Sequence, residues 1–165
     1  MGLCCLRFNL LVSFTLENTF YLGDEIMSIL KYITNTQKVA PPSGLYSHAV
    51  RVPIRELLFI SGQTANDVDG NLLGNGDIEI QTRQVFKNLQ NILNSEGTDL
   101  KNVIEFTVYI VGNDFVKPFI DVRNDIFKNI YTNGCYPCST LINISSLGGS
   151  DAIIEISATA IIPNN

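Results

Sequence analysis

Two stretches of this chain hold residues whose types and spacing suit polar chemistry. The apolar run Leu57-Leu58-Phe59-Ile60 stops at Ser61-Gly62-Gln63, a short way downstream of Gly44-Leu45-Tyr46-Ser47-His48-Ala49. A buried strand that exits through Ser-Gly leaves bare backbone N–H groups able to face a cavity. In the second stretch, Glu155 lies between Ile154 and Ile156. In a strand its carboxylate points away from theirs, either to solvent or into a cleft between subunits, where it would serve as a general acid or base. Tyr46 is either a packing aromatic or a ligand contact with a hydroxyl to offer.

The pair Cys135-x-x-Cys138 has the spacing of a redox motif and of half a zinc site. A redox motif wants its first thiol at a helix N-terminus, whereas here both residues follow a helix and lead into a strand. Zinc would need a second ligand pair, for which only the vicinal Cys4-Cys5 remain. A plain pair of reduced thiols is the favoured interpretation. Cys138 as a nucleophile activated by His48 or Glu155 would require hydrogen-bond reach between them. His48, the only histidine, is expected to be a structural or rim residue.

The elements that must carry these groups follow from periodicity. Ala49 to Val52 and Leu57 to Ile60 read as two strands, expected to form an antiparallel pair, after a loop-like segment from Tyr32 to Ser47. Asn66 to Gly76 is a polar surface loop ending at Asp77, which can cap a helix with Val85, Phe86, Leu89, Ile92 and Leu93 on one face and Gly97 as its stop. Val103 to Val111 is a strand. A second helix starts near Asn113-Asp114, tolerates Pro118 in its first turn and ends at Asn133-Gly134. Ser139 to Ile144 and Ile153 to Ile162 are the last strands. The order β-β-α-β-α-β-β gives an α+β fold, a mixed sheet with two helices on one face and the other face bare and in need of a partner.

The chain has 165 residues, 45% of them apolar and 16% charged, with a net charge of −5. That suits one core, and the acidic balance disfavours nucleic acid as a partner. Residues 1–26 form an extension of different composition, and residues 27–165 pattern as a complete domain. The apolar stretch Phe8 to Leu16 is too short to span a bilayer, so no membrane is expected. A signal peptide would need a stronger positive region and a cleavage site, and a myristoylation site would need Ser or Thr at position 6, where Leu6 stands. A start placed too early, with Met27 as the true beginning, is preferred. Sparse cysteines fit a reducing cytoplasm.

With the helices placed, the chain resembles the RidA/YjgF/UK114 family over nearly all of Met27 to Pro163. The matching segments are Gly44 to Ala49, Phe59 to Gln63, Gln81-Thr82-Arg83-Gln84 with Asn88-Leu89, and Glu155-Ile156-x-Ala158. The resemblance implies a chorismate-mutase-like, ferredoxin-like subunit in a homotrimer with three clefts between subunits. It also implies hydrolysis of reactive 2-imino acids or enamines to 2-oxo acids and ammonia, with no metal and no cofactor. The family's catalytic and substrate contacts carry over to Tyr46, Glu155, Ser61, Gly62 and Thr140. The family's substrate-clamping Arg lies in a Pro-x-Arg-Ser segment, and here Cys138 takes its position in Tyr136-Pro137-Cys138-Ser139. Two charge-assisted hydrogen bonds of about 1.5–3 kcal/mol each would be lost with it. Weak activity on simple 2-imino acids, or a substrate without a carboxylate, is therefore expected. A non-catalytic small-metabolite-binding trimer is the alternative, and the ribonuclease activity attributed to some relatives ranks third because of the acidic charge.

Overall fold

The computed structural model describes residues 30–34, 39–40, 42–53, 56–148 and 151–163. Its elements run β1 (Lys31–Ile33), β2 (Ala49–Arg51), β3 (Leu57–Gln63), α1 (Ile78–Ser95), β4 (Val103–Val111), α2 (Val116–Ile130), β5 (Cys138–Ile144) and β6 (Ile154–Ile161). Short 3-10 turns precede β4 and α2. The extension 1–26, Met27 and the Cys4-Cys5 pair lie outside the described residues. No helix among those described is long and apolar enough to cross a membrane.

Local chemistry explains both helices. The Asp77 carboxylate accepts from the backbone N–H groups of Glu79 at 2.9 Å and Ile80 at 3.0 Å, satisfying two of the donors that a helix start leaves open. Past the C-terminus of α1, Gly97 takes φ +71°, which a residue with a Cβ adopts only under strain. Pro118 sits third in α2, where its missing N–H costs nothing.

The main sheet has the order β3-β6-β4-β5, with β4 and β5 parallel and the other pairs antiparallel. Phe106, Val108 and Ile110 of β4 and Ile154, Ile156, Ala158 and Ala160 of β6 are buried in one core with Val85, Phe86, Leu89 and Leu93 of α1 and Phe119 and Phe127 of α2. Their alternation partners face the other way. Glu105, Thr107 and Tyr109 of β4 stand beside Thr159, Ser157 and Glu155 of β6, in register, on the face that the helices leave open. That face also carries Phe59, 76% exposed, and the part-exposed Ile142.

The expected pairing of the first two strands is corrected. β2 pairs with β1, with Tyr32 opposite Val50, and β3 pairs with β6. The segment assigned as loop therefore begins with a strand, because Tyr32 buries itself with Leu30, Cys135 and Ile161 in a second small core. A three-residue strand carries too little periodicity to be seen without that tertiary contact.

Candidate functional site

The Ser-Gly exit of β3 is a β-bulge. Ile60 pairs with Ala158 and Gln63 with Ile156, so β3 spends three steps where β6 spends two. The bulge brings Gly62 under the Glu155 side chain. A Cβ on Gly62 would overlap the Glu155 carboxylate and lie 2.8 Å from its Cγ. A side chain here would displace the Glu155 carboxylate, and with glycine the half-buried carboxylate rests directly on bare backbone. Helix α1 holds this exit in place. Asn88 Nδ2 donates to the carbonyls of Thr64 at 3.1 Å and Asn66 at 2.8 Å, while Gln84 Nε2 donates to Asn88 Oδ1 at 2.9 Å and fixes its orientation. Gln81, fully buried, ties Gly74 O to Ile153 N at the start of β6. On the helix side of the exit lies an amide-rich cleft of about 560 Å³ whose walls include Gly62, Gln63, Thr64, Gln84, Lys87 and Asn88. A cavity at the β3 exit is thus present.

Tyr46, Cys138 and Thr140 belong to the opposite edge of the sheet. Ser47, next to Tyr46, donates from its backbone to Pro137 O at 3.2 Å and from its hydroxyl to Tyr136 O at 2.6 Å, docking that loop on the segment leading into β5. Thr140 pairs with Thr107 and is exposed on the open face, and Cys138 pairs with Glu105. Neighbouring strands lie about 4.8 Å apart, so β3 and β5 are separated by about 14 Å. One chain therefore joins Glu155, Gly62 and Ser61 at one edge and Tyr46, Cys138 and Thr140 at the other, and does not bring the two groups together.

Cys138 is no activated nucleophile. Burial pushes its thiol up, the Glu105 carboxylate adds to the shift, and a hydrogen bond from the Val50 backbone only partly opposes it. The thiolate is the reactive form, so Cys138 is expected to alkylate more slowly than free cysteine at pH 7.5 and to be still accelerating at pH 9. Peptide-level mass spectrometry of iodoacetamide labelling measures this, and labelling as fast as free cysteine would contradict it. Among the described residues no group of three or more His, Cys, Asp or Glu is arranged to hold a metal ion. His48 donates its backbone N–H to Ile33 O at 2.8 Å, linking β2 to β1, and its Nε2 is buried with no acceptor or donor among the described residues. Arg83 forms a surface pair with Glu79 at 2.8 Å on the same helix.

The residue that sequence reasoning missed is Arg123 of α2. It is only 6% exposed, and its guanidinium carbon lies 5.7 Å from the Phe119 ring centre and 5.5 Å from that of Phe127, one turn to either side. Nη2 donates to Asn124 Oδ1 at 3.0 Å and would lie 3.8 Å from a Cβ on Gly44. Burial lowers the guanidinium pKa, and the ionisable Tyr46 hydroxyl partly opposes that shift. The Tyr46 hydroxyl lies 3.3 Å from the Ser43 backbone N–H, and the Ser43 hydrogen bonds lead the causes that draw its pKa down. The signal was present in the spacing: positions 119, 123 and 127 form one stripe of a helix, and an Arg on a buried stripe stands out.

An α+β fold with two helices on one face of a β3-β6-β4-β5 sheet, and with a carboxylate laid over a glycine at the edge of its open face, has the architecture of the Rid proteins. A Rid family protein of Yersinia pestis, YyfB, matches it with a TM-score of 0.70 and 27% identity, over 81% of this chain and 98% of that one. The family model described as Endoribonuclease L-PSP matches residues 37–162. The chain belongs to that family, the RidA/YjgF/UK114 family. It is 35% identical over 132 residues to a RutC family protein of Pyrococcus horikoshii, covering 79% of this chain and 98% of the relative. It is 32% identical over 135 residues to the 2-iminobutanoate/2-iminopropanoate deaminase of Mus musculus, covering 81% of this chain and 93% of that protein.

Proposed function

We propose that this chain hydrolyses small reactive imines or enamines and does so as a homotrimer. The observation that carries the proposal is the seating of the Glu155 carboxylate on Gly62 at one edge of the open sheet face, with Tyr46 and Thr140 at the far edge. Copies packed through that face would set one edge of a subunit against the other edge of its neighbour, completing three identical clefts and covering the exposed Phe59. In each cleft Glu155 holds a water and passes protons. Water adds across the C=N bond, the nitrogen takes up a proton, and the carbinolamine collapses to a carbonyl and ammonia. The relatives described as 2-iminobutanoate/2-iminopropanoate deaminases support this chemistry at about 30% identity.

The test is ammonia release from freshly generated 2-iminobutanoate, measured alongside sedimentation equilibrium. Turnover above the spontaneous rate by particles three chains in mass is the expected result. Turnover no faster than buffer, or a monomer at micromolar concentration, would end the proposal. The thiol at Cys138 favours a second reading, a trimer that binds a small metabolite without reacting, and ligand-dependent thermal stabilisation with no turnover would select it. An endoribonuclease is disfavoured by the net charge of −5 and by Glu105 and Glu155 on the open face.

A further inference from the structure

We infer that Arg123, with the Tyr46 loop above it, is a subsite for the carboxylate of a small ligand, supplying from α2 the cation that β5 lacks at Cys138. The inference rests on the site proposed above and names the part of the substrate that this edge holds.

Arg123 exposes only 6% of its surface, and a guanidinium in such surroundings ordinarily sits against a carboxylate, because an unpaired charge in the interior loses its hydration for no return. Arg123 has none. The four ion pairs among the described residues all involve other cations, and its Nε, fully buried, meets no acceptor. Its one hydrogen bond runs to the neutral Asn124 amide. The side chain is nonetheless held firmly, between the rings of Phe119 and Phe127, so its planar fork is fixed before any ligand arrives. The covering residue is Gly44, whose φ is ordinary and whose missing side chain would otherwise come within 3.8 Å of Nη2 and 3.7 Å of the Tyr46 ring. The bare backbone of Gly44 thus lies beside both Nη2 and the Tyr46 ring. A preset fork with an unused donor, next to a hydroxyl and a bare backbone, fits the two oxygens of a carboxylate. The loop that covers Arg123 is the one docked on Tyr136 and Pro137, so the subsite stands at the same edge as Cys138 and Thr140.

The test compares 2-oxobutanoate with its uncharged amide, 2-oxobutanamide, by calorimetry on the full chain and on its Arg123→Met and Arg123→Lys variants. The wild type is expected to bind the carboxylate at least tenfold more tightly than the amide. Arg123→Met should abolish that preference while melting at or above the wild-type temperature without ligand, since an apolar side chain of similar length suits the aromatic surroundings. Arg123→Lys, a point charge without a fork, should weaken carboxylate binding at least threefold. Equal affinity for the two ligands in the wild type, a tenfold preference that survives Arg123→Met, or unchanged affinity in Arg123→Lys would each overturn the subsite. Should Arg123→Met fail to fold, the wild-type comparison and the Lys variant decide. The two proposals fail separately. Carboxylate binding through Arg123 without ammonia release removes the hydrolase and keeps the subsite, whereas ammonia release with unaltered KM in Arg123→Met does the reverse.

Discussion

Glu155→Gln is expected to lower the turnover of 2-iminobutanoate by about 10²–10⁴-fold, the usual worth of a positioned general acid or base. Glutamine has the shape of glutamate, so it still rests on Gly62 and β6 keeps its register between β3 and β4. What disappears is the ability to take and return a proton. Gly62→Ala tests the same contact from the other side. Its Cβ overlaps the carboxylate, so Glu155 must swing away, and activity should fall comparably although every ionisable group remains. The double variant should be little worse than either single one, because both remove one positioned carboxylate. Single-turnover ammonia release on each variant measures the set. A Glu155→Gln protein that turns over as fast as wild type would show that the carboxylate takes no part in proton transfer.

Phe106→Ala should cost about 3–5 kcal/mol of stability, a large share of the roughly 5–15 kcal/mol that holds a domain together. Phe106 is 1% exposed and contacts Phe86 and Phe127 with ring centres 5.7 Å away in both cases, so its removal leaves a hole lined on both sides by rigid rings. Rings of this size collapse poorly into a cavity. Urea denaturation compares the midpoints. The side chain points to the helices while Glu105 and Thr107, its neighbours in β4, point to the open face, so under conditions where the variant is folded its state of association should match wild type. A loss below about 1 kcal/mol would mean that the aromatic cluster is not the centre of this core.

Much of the architecture was legible in the residues because it depends on short-range patterns. The Asp77 cap and the Gly97 stop bracketed α1, the period of two separated Glu105 and Thr107 from Phe106 and Val108, and the same period turned Glu155 away from Ile154 and Ile156. The short strand at Lys31–Ile33 was not legible, since three residues hold no period and its partner lies beyond an intervening loop. Neither was the partner of β3. A strand of Leu57 to Ile60 composition pairs equally well in principle with any neighbour, and adjacency in the chain pointed to the wrong one.

The sequence by itself determined where α1 begins and ends, which face each strand residue takes, and that the two helices would cover one sheet face and leave the other to a partner, because these follow from backbone geometry and burial within a few residues. Only the tertiary structure decided that a bulge sets Gly62 beneath Glu155, that Tyr46, Cys138 and Thr140 stand at the far edge of the sheet, and that Arg123 is enclosed by Phe119, Phe127 and the Gly44 loop. Those outcomes depend on contacts between segments distant in the chain, whose free energies are settled by the packing of the whole core and leave no local mark on any one segment.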